Sequence, residues 1–367
     1  MTHRERVLAV LRGEKADFVP WFGDLDYYTT AQVSQGRRPR NFKESDDYIE
    51  WHRQLRCGFY LQGYFPFKET VENCDVREWK EGNVRYREVK TPEGTLREGW
   101  LWSDLTYSEA PIERLLKTPS DLPAYSFLYR NTRYEPDYAL AEKRRRQVAE
   151  MGVVLCYLPR TPFMRMVALD AGIENVTMIH ADAPDEFTEM FGVVSESLDR
   201  ASQVALESPA EILMMPENLS SEVVGPRFFE LFLKDFQSKW AAKINAAGKF
   251  SCIHMDGTLA GLLRQESSVG LTFIEALTPK PVGDIPIAEW ASYRGGSNTI
   301  YWGGIPGSYF TPVVGDKEFD RLVVELLAVM TKDRRMVLGV ADQVPPDGLE
   351  RRVARVQELV DEFGASR

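Results

Sequence analysis

Short apolar runs bounded by turn residues recur along the chain from Val153 onward, at Val153–Leu158, Glu211–Met215, Phe250–His254, Leu271–Ile274, Thr299–Trp302 and Met336–Val340. Runs of this kind suit parallel strands buried on both faces, and the helix-like segments between them supply the crossovers that parallel pairing needs. Phe18–Phe22 and Cys57–Gln62 bring the series to eight strands. Eight strand–helix alternations in 367 residues predict an α/β fold, a single (β/α)8 TIM barrel over residues 1–367, with a doubly wound sheet as the alternative. Arg4–Arg12 reads as an amphipathic helix stopped by Gly13, and Asp46–Leu55 as a helix before the second strand. Between Val84 and Ser103 polar and apolar positions alternate around Thr91–Gly94, which predicts a β-hairpin insertion over about 84–104. The basic run Arg144, Arg145, Arg146 on a helix over Asp137–Glu150 reads as a solvated face.

A barrel gathers the C-terminal ends of its strands at one mouth, so polar residues just after the apolar runs are the ones to weigh. The densest group is the stretch Phe250–Gly257. His254 and Asp256, two apart, share one face of a strand, and Gly257 permits a tight turn. The plainer alternative is a core histidine, with Asp256 capping a helix over Thr258–Leu263. Other strand-end positions carry Asp24, Asp26, Arg160, Glu217, Asn218, Glu275, Gly303, Gly304, Asp342 and Gln343. Arg160 and Arg165 are suited to one carboxylate or phosphate, or to ordinary surface pairing. Aromatic residues near strand ends, among them Trp21, Tyr157 and Trp302, either wall a ligand pocket or simply pack.

Composition narrows the partners. With 45 basic against 55 acidic residues the net charge is −10, a field that repels a nucleic-acid backbone and an anionic membrane surface. The N-terminus has no apolar leader and no stretch spans a bilayer, so a cytoplasmic enzyme is expected. Cys57, Cys74, Cys156 and Cys252 show no CxxC spacing and are expected as free thiols.

Several ordered blocks resemble the uroporphyrinogen decarboxylase superfamily, in its branch related to corrinoid methyltransferases. They are Arg4–Pro20, the hairpin Thr91–Glu98, Glu217–Gly257 with Gly225-Pro-Arg-Phe-Phe and Ala247-Gly-Lys249, Pro281–Glu289, Gly303-Gly304 and Val344–Asp347. The resemblance spans most of the chain and implies the barrel, a homodimer, and a site at its mouth. In that branch a His-x-Cys strand and a later Cys bind zinc; here His254 is kept while the two Cys positions are Asp256 and Asp342. The expectation is a zinc or other divalent metal on His254, Asp256 and Asp342, assisted by Glu217, or a metal-free acid/base cluster of the same residues. Asp24, Asp26, Arg160 and Trp302 are the expected substrate-binding residues. The resemblance implies transfer of a methyl or other one-carbon group on a small-molecule substrate, the corrinoid arriving on a separate carrier protein. True uroporphyrinogen decarboxylases carry an Arg-Gln-Ala-Gly-Arg signature after the first strand, where this chain has Trp21–Asp26, so their polycarboxylate substrate is disfavoured. A decarboxylase acting on uroporphyrinogen or another small carboxylic acid and a non-catalytic ligand-binding barrel are the alternatives.

Overall fold

The computed structural model describes residues 1–366. The first helix, His3–Leu11, begins at a capping box: Thr2 Oγ1 accepts from the Glu5 amide and Glu5 Oε2 accepts from the Thr2 amide, satisfying donors that a helix start leaves open. It ends at Gly13, whose φ of +76° an L side chain would resist.

Fifteen strands follow among the described residues. Two open the main body, β1 (Trp21–Phe22) and β2 (Phe59–Tyr60), the latter preceded by the expected helix, Asp47–Gln54. Next come β3 (Phe67–Val71), β4 (Asp75–Glu81), β5 (Val84–Thr91), β6 (Gly94–Ser103), β7 (Ser108–Glu113) and β8 (Thr132–Pro136). The chain then returns to the body with β9 (Gly152–Val153), β10 (Leu155–Tyr157), β11 (Ile212–Leu219), β12 (Phe250–Met255), β13 (Phe273–Leu277), β14 (Ile300–Pro306) and β15 (Met336–Ala341).

The body is an α/β fold on a seven-stranded parallel half-barrel sheet, ordered β1-β15-β14-β13-β12-β11-β10. Neighbours follow chain order with no reversal, which sets aside a doubly wound sheet, where the order switches direction. The predicted eight-stranded ladder does not run continuously to closure. Between β1 and β10 the gap is spanned by one bridge, Phe22 to Gly58, and by the two-residue pairing of β2 with β9. Close packing explains the glycines of this seam. A Cβ at Gly58 would lie 2.7 Å from the Phe22 ring, and one at Gly152 would lie 1.7 Å from the Phe59 carbonyl oxygen.

The insertion is larger than the predicted hairpin. β5 and β6 pair in register around Thr91 and Gly94, and β4 and β7 flank them to make a four-stranded antiparallel sheet over residues 75–113. The basic helix is Ala139–Gln147, and its Arg144 corrects the reading of a solvated face. That side chain is fully buried and donates to the Ser45 and Lys43 carbonyls and to Gln147 Oε1. Three carbonyl or amide acceptors make burial of the cation tolerable, which a count of charges along the chain does not reveal.

Strand alternation separates two cores. Phe22, Tyr60, Leu155, Met214, Cys252, Phe273, Trp302 and Val337 form one inner cluster, floored by Val7, Val10 and Leu11 of the first helix. Their alternate neighbours join the helices in the outer core. Each large apolar side chain so buried contributes about 1.5–3 kcal/mol.

Candidate active site

Adding two residues to each inner position reaches the polar layer above the core, because side chains two apart share a face. Phe22 leads to Asp24, Tyr60 to Gln62, Leu155 to Tyr157, Cys252 to His254 and Phe273 to Glu275. The register of β12 against β13 sets His254 directly beside Glu275. Their contact is His254 Nδ1 to Glu275 Oε2 at 2.7 Å, and the other carboxylate oxygen, Oε1, accepts from the Tyr60 hydroxyl at 3.1 Å. On the opposite side of the imidazole, Nε2 faces Asp342 Oδ1 at 3.6 Å. Asp342 follows β15 with φ +72°, a left-handed conformation that Asp tolerates better than most residues.

Electrostatics follow from this stacking of charges. Burial opposes a charge on His254, but Glu275 foremost, then Asp256 and Asp342, raise its pKa to about 9, so the ring is an imidazolium at neutral pH. Dehydration, with repulsion from Asp256 and Glu275, raises Asp342 to about 6 against the pull of His254. Because 55% of the Asp342 side chain is open to solvent, water tempers the dehydration part. Asp24 is buried. Loss of hydration, the charge of Asp26, and those of Glu275 and Asp342 push it well above the carboxylate range, although it accepts from the Asp26 amide at 2.8 Å and from Gln343 Nε2 at 3.3 Å. The mouth therefore holds a cation between carboxylates, with two acids, Asp24 and Asp342, displaced towards neutrality.

The remaining predicted residues divide. Asp256 leaves the end of β12 half-buried, near enough to act on both His254 and Asp342. It caps no helix: the expected helix over Thr258–Leu263 is not formed, the next one being Leu263–Glu266, and the amides of Leu259 and Ala260 donate to Asp284, at 2.8 and 3.1 Å. Asp26 is occupied by Lys43 Nζ at 2.6 Å. Glu217 does not join the His254 group. Its two oxygens accept from the Thr161 amide and hydroxyl, at 2.8 and 3.0 Å, and so tie down the start of the short helix Pro162–Arg165. The register of β11 shifts between Met215 and Leu219, which two-residue counting along that strand does not anticipate. Trp302 is fully buried and packs against Phe22, Tyr60 and Phe273 with ring centroids 5.2–5.3 Å apart, a floor beneath the site with no surface for substrate. Arg160 follows β10 half-buried beside a separate cleft.

Glu275 and Tyr60 are the two groups sequence reasoning left without a role. The signal was present in the parity of Phe273 and Glu275, but the partner of His254 is settled by cross-strand register.

The expected metal set is not assembled. His254 Nε2 and Asp342 Oδ1 are close enough to share one ion, yet among the described residues no three His, Cys, Asp or Glu side chains converge on an ion-sized site. Among the described residues no helix is long and apolar enough to cross a membrane.

No family model matches the chain, and no curated protein matches its sequence. Among solved structures, a methyltransferase from Methanosarcina mazei superposes with a TM-score of 0.63 over 99% of this chain and 99% of its own, at 14% identity. At that identity the likeness is one of fold.

Proposed function

We propose that this chain is an enzyme that transfers a methyl group at the half-barrel mouth, with the His254–Glu275–Asp342 group as its acid/base machinery. The observation that carries the reading is His254 itself: a buried imidazolium fixed at Nδ1 by Glu275 and opposed at Nε2 by Asp342. Methyl transfer is favoured over other reactions by the full-length fold likeness to a methyltransferase, together with the sequence resemblance of the His254 block to the corrinoid-linked branch. A corrinoid borne by a separate carrier protein would supply the methyl group.

The chain's part is proton handling. An acceptor carrying a proton on the atom to be methylated loses that proton as its lone pair takes the methyl, and a base must receive it. Asp342, near 6 and open to the mouth, is ionised at neutral pH and can take it. The His254 imidazolium stabilises negative charge developing on the acceptor beside it, and Glu275, held by Tyr60, keeps the ring oriented. One observation favours the decarboxylase reading: Asp24, buried and with its pKa raised by burial and by the charge of Asp26, is placed as an acid that could quench a carbanion.

The test is turnover with methylcobalamin and a panel of thiol, amine and carboxylate acceptors. Wild type is expected to demethylate the donor, and His254→Ala to lose about 100-fold or more in rate. Loss of carbon dioxide from a carboxylate substrate without methyl transfer would overturn the methyltransferase reading.

A further inference from the structure

Just after β10 lies a cleft of about 410 Å³, walled by Phe65, Phe67, Pro159 and Leu169 and carrying two guanidinium groups, Arg160 and Arg165, with Glu69 at its side. The two cations are not alike. Arg165 is answered by Asp170 through Nε at 3.1 Å and by Glu69 at 3.9 Å, and Asp170 is held in turn by the hydroxyls of Tyr125 and Tyr129. Arg160 forms no ion pair among the described residues. Its Nε is buried with no hydrogen-bond partner, and one terminal nitrogen reaches Asn218 Oδ1 at 3.5 Å, the limit for a hydrogen bond. The carboxylate nearest in charge, Glu217, spends its oxygens on Thr161. Dehydration is the largest influence on Arg160 and pulls its pKa down, yet a guanidinium keeps its proton and needs an anion or acceptor.

We propose that this cleft binds the charged end of an amphipathic monocarboxylate substrate, its carboxylate on Arg160 and its apolar body on Phe65 and Phe67. This deepens the function proposed above, resting on the mouth as the reaction site but not on which group is transferred. Charge balance selects a monoanion: the two arginines are already matched in number by Asp170 and Glu69, so the cleft has no surplus to hold a phosphate dianion, while Arg160, itself without an ion pair among the described residues, suits a single carboxylate. The apolar part follows from Phe65, a large side chain 37% exposed, whose ring meets Phe67 and Tyr157 edge-on at 5.7 and 5.3 Å. Tyr157 joins cleft and reaction group. Its hydroxyl donates to Gln62 at 2.6 Å in the polar layer, and it lies close enough to Asp24 and Glu275 to feel their charges. A substrate anchored on Arg160 would thus run over Tyr157 towards His254.

The experiment is direct binding to the full chain by calorimetry and ligand-observed NMR. The probes are 3-phenylpropionate, its methyl ester and phenyl phosphate. The acid is expected to bind, the ester about tenfold more weakly or worse, and Arg160→Gln to weaken the acid by about tenfold or more. Phe65→Ala, at an exposed site, is expected to weaken it several-fold with an unchanged melting temperature. Equal binding of acid and ester, or no acid binding to folded wild type at millimolar concentration, would overturn the proposal. So would tighter binding of phenyl phosphate, or Arg160→Gln binding as wild type does. If Arg160→Gln does not fold, the acid–ester comparison and Phe65→Ala decide. Binding retained by an inactive His254→Ala variant separates this result from the fate of the proposed reaction.

Discussion

A histidine buried among apolar strands ordinarily gives up its proton, and His254 keeps it because β13 brings Glu275 within 2.7 Å. The consequence for stability has a defined sign. The folded pKa, about 9, lies above the ordinary 6.5, so stabilisation by the imidazolium is complete below about 6.5 and is lost as pH rises through about 9. A rise from 6.5 to about 9 corresponds to roughly 3 kcal/mol at most. Glu275→Gln keeps the shape and an acceptor for Nδ1 but removes the charge. It is expected to lower the His254 titration, followed by NMR, by roughly 1–3 pH units and to flatten the loss of stability between pH 6.5 and 9. An unchanged titration would mean that Glu275 is not what holds the proton. His254 and Asp342 were legible as strand-end chemistry, whereas Glu275 and Tyr60 as their partners were not, since partnership depends on register between distant segments.

At the scale of elements, the apolar runs located the strands of the body to within a few residues, and their edges moved outward where pairing extended them, as at β11 and β14. Burial was harder to read. Trp302 and Arg144 both looked like surface or pocket residues from their neighbours in sequence, and both lie inside. Trp302 holds the floor of the site together through Phe22, Tyr60 and Phe273. Trp302→Ala is expected to cost about 3–5 kcal/mol in chemical denaturation. Trp302→Phe, which keeps an apolar ring there, should leave KM within about twofold, since no part of Trp302 is open to substrate. A large rise in KM for the Phe variant would return Trp302 to the binding residues.

At the scale of the whole molecule, parallel strands in chain order carry the polar ends of β12, β13 and β15 to one mouth, and the antiparallel insertion stands apart from that sheet. The mouth gathers carboxylates around one imidazole without closing a three-ligand set. Dialysis against a chelator is accordingly expected to leave turnover and melting temperature unchanged; a loss of either that zinc restores would show that the ligands rearrange around an ion. What the chain determined by itself is local: which segments are strands or helices, which face each residue takes, and which strands end in polar groups. Periodicity carries that information because it depends only on neighbours in sequence. The tertiary structure alone decided that Glu275 meets His254, that Glu217 turns to Thr161, and that Arg160 has no ion pair among the described residues. Those outcomes depend on register, on the shift in β11 and on the carboxylates that other elements bring near, none of which is written in the spacing along a single strand.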